Sequence, residues 1–302
     1  MATGERAMIV SCGEALVDLV PEPVPGGGPM NVAIAAARLG VPSAFVGRVS
    51  EDAYGEQIWE HLVANGVDLR ACQRGSEPTA RAVVEHIPHL VFRFEGTDTA
   101  DTRLTDADLS LLGNGPHIVH GGTLGMFRGR TAETLARLAE GHDGLVSLDP
   151  NVRPQIIDDR ARWDRFHQRW VDCADVYRAS DEDLAWIWPD RTPEACATAL
   201  LEGRARAVFV TRGGDGVTVF TRDDRIDVPG RKVEVVDTVG AGDTFVATVL
   251  ASLWERGVAS DRAAIGDWTS ADWRSIAERA VAAAAINCSR AGADPPYPDE
   301  LG

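Results

Sequence analysis

Residues 232–257, KVEVVDTVGAGDTFVATVLASLWERG, constrain this chain more than any other stretch. The β-branched run Val233 to Val236 predicts a strand, Gly240, Ala241 and Gly242 a tight turn, and the apolar-periodic segment from Asp243 to Gly257 a helix. The first amides of a helix have no intrahelical partners and point out of its N-terminus, so they form an anion site, and glycines let a phosphate approach the backbone. Asp243 is out of place beside an anion unless it has another task. One such task is to take a proton from a hydroxyl that attacks phosphorus. The other reading is a plain helix cap, since Asp is favoured in first turns.

The string Asp237-Thr238-Val239-Gly240-Ala241-Gly242-Asp243 resembles the C-terminal signature of the ribokinase-like sugar kinases, the PfkB carbohydrate kinase family. The resemblance implies that Asp243 is the catalytic base and that the amides of the Gly240-Ala241-Gly242 turn form an anion hole for the transferred phosphoryl group. It also implies an α/β fold, a three-layer sandwich around a mostly parallel central sheet with a small β-sheet lid. ATP and a small sugar are the implied substrates, with Mg2+ as cofactor. Asp237 and Thr238 resemble the family's monovalent-cation loop, which adds K+ to the implied cofactors.

The 302 residues, 44% hydrophobic and 25% charged, are enough for one large core or two domains. By resemblance the whole of 1–302 is one kinase domain, its lid drawn from about 16–27 and 78–103. The net charge of −16 disfavours nucleic acid and anionic membranes as partners, because phosphate backbones need clustered cations. Only one of the basic residues is a lysine, Lys232, and no G-x-x-x-x-G-K-S/T occurs, so nucleotide chemistry here is not of the P-loop kind. Five cysteines without a C-x-x-C pair suggest free thiols, neither a disulfide framework nor a zinc site. The opening residues lack a basic head and apolar core, and no apolar run is long enough to span a bilayer, so the expected location is the cytoplasm.

Residues 8–20 read as a strand interrupted at Gly13-Glu14, with Asp18 late in it at an edge or at a site. Pro21, Pro23 and Pro25 exclude a central strand and fit an edge strand or linker. Gly26-Gly27-Gly28 then precede an Ala-rich helix that ends at Gly40. The resemblance implies that Gly27 and Gly28 are the hinge between lid and body, and that Asn31 hydrogen-bonds sugar hydroxyls, a task that suits an amide. Asp52 and Gly55 open the next helix, read as capping ahead of ligand contact. Residues 67–71 and 79–94 alternate apolar and polar, with His86, Arg93 and Phe94 embedded, and predict a hairpin with one wet face. Ala100-Asp101 resembles a fructokinase-like segment, and Glu95 stands near where ketodeoxygluconate kinases place an arginine.

Thereafter strands and helices alternate, the sign of a parallel sheet wrapped by helices. Strands are predicted at 117–122 and 144–149, with a helix at 131–140 between them. The second strand runs into Asp149-Pro150-Asn151-Val152-Arg153, a D-x-N-x-R that resembles fructokinases and ketodeoxygluconate kinases alike. Open α/β sheets bind ligands beyond the carboxyl ends of their strands, so Arg153 is read as a contact for substrate or phosphate, or as a salt bridge to Asp149. Ser180-Asp181-Glu182-Asp183 caps a helix and departs from the family's N-x-x-E, which orients magnesium; Asp183 is the metal candidate that remains. The turn Thr211-Arg212-Gly213-Gly214-Asp215-Gly216 lies between two strands, and the resemblance assigns Thr211, Gly213, Gly214 and Gly216 to the nucleotide phosphates. Asn287, late in an Ala-rich helix, is a nucleotide contact by the same resemblance, and 295–302 reads as a loose tail.

Taken together these features imply an ATP-dependent kinase acting on a primary hydroxyl, with Asp18, Gly27, Gly28, Asn31 and Arg153 at the sugar. Fructose is the first choice of substrate and 2-keto-3-deoxygluconate the rival. A non-catalytic sugar or nucleotide sensor with the same fold is the reading from another class. Lid strands that pair between subunits would give a homodimer.

Overall fold

The computed structural model describes residues 7–301 apart from 21, 88 and 114, with backbone alone for 20, 84–87 and 89–93. The chain starts with β1 (Ile9–Cys12), β2 (Leu16–Val20) and β3 (Glu22–Gly26), then α1 (Gly28–Arg38). Next come β4 (Ser43–Val46), β5 (Arg48–Ser50), α2 (Ala53–Ala64), β6 (Gln73–Gly75), and the hairpin β7 (Arg81–Ile87) and β8 (His89–Glu95). The middle holds β9 (Ile118–Gly122), α3 (Thr131–Glu140), β10 (Leu145–Asp149), α4 (Arg160–Cys173), β11 (Val176–Ser180), α5 (Asp181–Ile187) and α6 (Pro193–Glu202). It closes with β12 (Ala207–Thr211), β13 (Val217–Phe220), β14 (Arg225–Val228), α7 (Ala241–Glu255) and α8 (Ser270–Cys288).

Eight strands form one sheet in the order β14-β13-β12-β11-β10-β9-β1-β4. The six from β12 to β4 are parallel, and β13 and β14 extend the sheet antiparallel. Helices cover both faces, as buried parallel strands require. On one face Phe245, Val249, Leu250 and Leu253 of α7 pack with Val32 and Ala35 of α1, Trp273 and Ile276 of α8, and Phe209 of β12. The other face buries Trp163 and Trp170 of α4 and Leu135 of α3 against Val119, Val146 and Tyr177. Each such fully buried side chain is worth about 1.5–3 kcal/mol relative to exposure. The result is a three-layer α/β/α sandwich, as expected.

A second sheet, β3-β2-β7-β8, stands apart from the sandwich. The predicted strand over 8–20 is therefore two strands in two sheets, with the chain crossing between them at Gly13 and Glu14. Asp18 lies on β2, an inner strand paired to β3 and β7, not at an edge. The 79–94 hairpin is present, but 67–71 contributes only a bridge between Asp68 and Ala44. The expected wet face, with His86 and Arg93, lies on side chains outside the described residues.

Residues 233–236 correct one expectation, since they form no strand. Val235 and Val236 are exposed, and the nearest backbone bond, Val236 N–H to Cys288 O at 2.8 Å, leads to a helix end instead of a sheet edge. Propensity alone does not make a strand without a partner ladder. The C-terminal segment is tied down, not loose. Arg38 donates to Asp294 Oδ1 and, at 3.0 Å, to Pro295 O, and its guanidinium lies 5.3 Å from the Tyr297 ring centre. Pro295 and Pro296 are buried.

Candidate active site

A cavity of about 590 Å³ opens at the carboxyl ends of the parallel strands, in front of the first turn of α7. The small sheet supplies one wall through Leu16, Asp18 and Phe94, and the start of α1 supplies Gly27, Gly28 and Asn31. The loops after β9 and β10 add Thr123, Asn151 and Arg153, the β11–α5 junction adds Arg178, Glu182, Asp183 and Trp186, and the turn before α7 adds Thr238, Gly240, Gly242 and Asp243. A second hollow of about 330 Å³ lies between 228–231 and the Glu278, Val281 and Ala282 face of α8.

The turn before α7 is built by conformation and close contact. Gly240 is the N-cap with φ 74°, and a Cβ there would come within 2.5 Å of the Ala293 methyl, so only glycine fits. The amides of Gly242 and Asp243 have no carbonyl one turn back, as at any helix start. The Ala241 amide makes a long bond, 3.3 Å, to Thr238 O, so it is partly committed. Asp237 ties the turn to the loop after α8, since its carboxylate accepts from Val239 N–H at 3.0 Å and Gly292 N–H at 2.9 Å.

Asp243 is 9% exposed, and its Oδ2 accepts a hydrogen bond from Asn31 Nδ2 at 2.8 Å. Among the described residues no hydrogen bond reaches its Oδ1, which faces the Gly28 and Asn151 side of the cavity. It is thus oriented by a partner and not engaged in capping α7, whose N-cap is Gly240 without a side-chain bond. Burial raises the Asp243 pKa above the ordinary Asp value, against the Asn31 hydrogen bond and the Arg153 and Arg178 charges. Asp18 is pushed up to about 6, by burial first and by the Asp243 charge second, with Arg153 opposing. Glu14 rises to about 7, because burial outweighs the hydrogen bonds it accepts from Thr123 Oγ1 at 2.5 Å and Gly125 N–H at 2.9 Å.

Arg153 donates to Asn151 Oδ1 at 2.7 Å, and the expected alternative of a salt bridge to Asp149 is not what forms. Asp149 instead takes Arg178, at 2.8 Å, and burial pushes Asp149 up to about 6 against that pairing. Asp183 completes a capping box. Its Oδ2 accepts from Ser180 N–H and Oγ at 2.9 and 2.7 Å, and its Oδ1 from Val152 N–H at 2.8 Å. Both oxygens are occupied, whereas the Glu182 carboxylate beside it is exposed on the cavity wall.

Thr211 Oγ1 accepts from Arg178 Nη2 at 2.7 Å, at the edge of the cavity. Gly213 and Gly214 face open space outside it, and the turn packs closely on the second hollow, where a Cβ on Gly216 would meet Val228 O at 2.2 Å. Asn287, expected at the nucleotide, is 0% exposed; its Nδ2 donates to Val239 O at 2.8 Å and its Oδ1 accepts from Thr244 at 3.2 Å, so it braces the glycine turn. Glu95 pairs with Arg81, and the buried Asp101 with Arg128.

Sequence reasoning passed over Glu14, Thr123, Glu182 and Arg178. Only Arg178 carried a usable signal, a cation near the end of an otherwise apolar strand, the feature that singled out Asp18. Among the described residues no group of His, Cys, Asp and Glu forms a metal cage, all five thiols are free, and no helix is long and apolar enough to cross a membrane.

Residues 21–300 match the family described as pfkB family carbohydrate kinase. A fructokinase of Rhizobium leguminosarum bv. trifolii is 37% identical over 259 residues, 82% of this chain and 79% of that protein. Among solved structures, fructokinase with bound ATP from Xylella fastidiosa aligns with a TM-score of 0.88 at 27% identity, over 97% of this chain and 96% of that one. A fructokinase double mutant from Vibrio cholerae O395, bound to fructose, ADP and potassium ion, aligns at 0.84 and 27%, over 99% and 96%.

Proposed function

Because this chain belongs to the pfkB family of carbohydrate kinases and is a sugar kinase, we propose that it transfers the γ-phosphoryl group of ATP to a primary hydroxyl of fructose. The observation that carries this reading is the Asp243 carboxylate at the mouth of α7, held by Asn31 through one oxygen and open to the cavity through the other. In the proposed step Asp243 takes the hydroxyl proton as the sugar oxygen bonds to the γ-phosphorus. The bond from that phosphorus to the β,γ-bridging oxygen breaks, and ADP leaves with the electron pair. The Gly242 and Asp243 amides, with Ala241 as a weaker third, are set to receive the developing charge.

The nucleotide path follows from two contacts. The 330 Å³ hollow beside α8 suits a base, and the 211–216 turn links that hollow to the main cavity through Gly216 on one side and Thr211 with Arg178 on the other. Glu182, exposed on this wall, would hold the waters of a magnesium ion, which would supply charge neutralisation at the phosphates. The small sheet, with Asp18 on its cavity side, acts as the lid, hinged at Gly27 and Gly28, and its closure excludes water that would otherwise hydrolyse ATP. An anionic sugar is disfavoured, because Glu14, Asp18 and Asp243 line the sugar end against Arg153.

ADP release, coupled to an indicator reaction, tests the reading across a panel of fructose, 2-keto-3-deoxygluconate, ribose and a nucleoside. The expected result is the highest kcat/KM with fructose. Preference for 2-keto-3-deoxygluconate would replace the substrate, and no sugar-dependent ADP release with any member would point to a sensor.

A further inference from the structure

Arg178, near the end of β11, lines the cavity with more binding capacity than its surroundings use. Its Nη1 donates to Asp149 Oδ2 at 2.8 Å and its Nη2 to Thr211 Oγ1 at 2.7 Å, which strap the guanidinium across the ends of β10, β11 and β12. On its remaining side is the first turn of α7, where a Cβ on Gly242 would fall 3.0 Å from Nη1 and 3.2 Å from Nη2. Glycine at 242 therefore lets a planar cation lie against the same turn whose amides face the cavity. Nε is buried without a hydrogen-bond partner, and the 12% of the side chain that is exposed lines the cavity.

A buried ion pair is weak evidence for a stabilising role, because desolvation offsets much of its attraction and an apolar residue of similar size serves as well. An arginine has five N–H donors in a rigid fork that matches planar and tetrahedral oxyanions. Here the fork is fixed in place, its Nε is without a partner, and its Nη atoms lie against the first turn of α7 at the cavity. The charges of Asp149, Asp183 and Asp243 act on it.

Resting on the kinase reading above, we infer that Arg178 is a catalytic residue, donating from the floor of the sheet to the oxygens of the phosphoryl group while the α7 amides donate from the helix. It forms no covalent bond and stays protonated throughout; its charge meets the negative charge that builds on the equatorial oxygens and on the departing ADP. Preorganised donors of this kind contribute most at the transition state.

The test uses R178Q and R178K in the full chain, with kcat, the KM for each substrate, and the affinities for ADP alone and for ADP with aluminium fluoride and sugar. R178Q is expected to lose about 10²–10³ in kcat, the usual worth of one such donor, with the sugar KM little changed. It should bind ADP normally and the aluminium fluoride complex weakly, and added guanidinium should restore part of its rate. R178K should fall between the two, since an ammonium supplies charge without the fork. A folded R178Q with wild-type kcat would overturn the inference, and so would a slow R178Q that binds ADP and the aluminium fluoride complex with equal losses and is not rescued. Should R178Q not fold, R178K decides, and wild-type turnover in R178K would exclude fork donation. A wild-type protein without sugar-dependent ADP release overturns the kinase reading itself, whereas an active wild type beside an equally active R178Q overturns the role of Arg178 alone.

Discussion

Replacing Asp243 by Asn keeps the shape of the side chain and removes the proton acceptor. Asn31 can still donate to the new amide oxygen, because the present bond runs from Asn31 Nδ2 to the Asp243 carboxylate at 2.8 Å. The other branch of the side chain, open to the cavity, becomes an NH2 group that can only donate. General-base catalysis is worth roughly 10²–10⁴ in rate, so kcat should fall by that factor, or about 2.7–5.4 kcal/mol of barrier. Sugar affinity should change little, since Asp18, Asn31 and Arg153 stay in place. Stability should not fall, because the Asp243 pKa is raised chiefly by burial, and the folded state therefore holds the ionised carboxylate at a cost that the amide does not carry. The Asp243 charge also helps to raise Asp18, so Asp18 in the variant should titrate below its present value of about 6. Coupled ADP release gives kcat, calorimetry gives the sugar Kd, and thermal unfolding gives Tm. A variant that folds, binds sugar and keeps kcat within a few-fold of wild type would remove Asp243 from the mechanism.

Two further expectations concern acid–base balance and ions. Glu14 is favoured neutral in the fold, with its pKa raised from 4.5 to about 7, so its contribution to stability is full below about pH 4.5 and is lost as pH rises through 7. E14Q should therefore lose less stability than wild type between pH 5 and 8, by up to about 3 kcal/mol, and parallel Tm-against-pH curves for the two proteins would refute this. The Asp237-Thr238 loop, whose Asp237 carboxylate accepts from Gly292 N–H, is the monovalent-cation site implied by the family resemblance, so turnover should be faster in potassium than in sodium buffer; equal rates would dismiss it.

What the chain discloses in advance depends on how far each feature relies on distant partners. The helix at 131–140 and the capping of α2 by Asp52 and of α5 by Ser180 follow from neighbours within a turn, and they stand as read. Asp243 was legible because a glycine turn and a helix start are local too. The bracing role of Asn287 was not, because its amide meets Val239 and Thr244 some forty residues away, and only the packing of α8 on α7 brings them together. The partner of Asp149 was not legible either, for a related reason. Arg153 is four residues off in sequence, but β11 runs alongside β10 and brings Arg178 to the carboxylate. Strand order across a sheet has no local signature, and the floor of the site is made of strand ends.

That floor also accounts for the titration pattern of the cleft. Six carboxyl groups, of Glu14, Asp18, Asp149, Glu182, Asp183 and Asp243, lie on the cavity wall or directly beneath it, against the guanidinium groups of Arg153 and Arg178. Glu14, Asp18 and Asp149 all rise to between about 6 and about 7, with burial the first cause in each. Crowding adds to it, since Asp243 raises Asp18, and Asp183 raises Asp149. A pocket of this kind repels a free anion but accepts a neutral polyol, whose hydroxyls can donate to the carboxylates. It accepts a nucleotide best when a divalent cation accompanies the phosphates. The two arginines divide the space accordingly. Arg153 is turned toward Asn151 and near Asp18, where the proposed reading puts the sugar, while Arg178 lies against Gly242, where that reading passes the phosphoryl group. Asp243 feels both charges, which together with the Asn31 hydrogen bond oppose the rise in its pKa that burial causes.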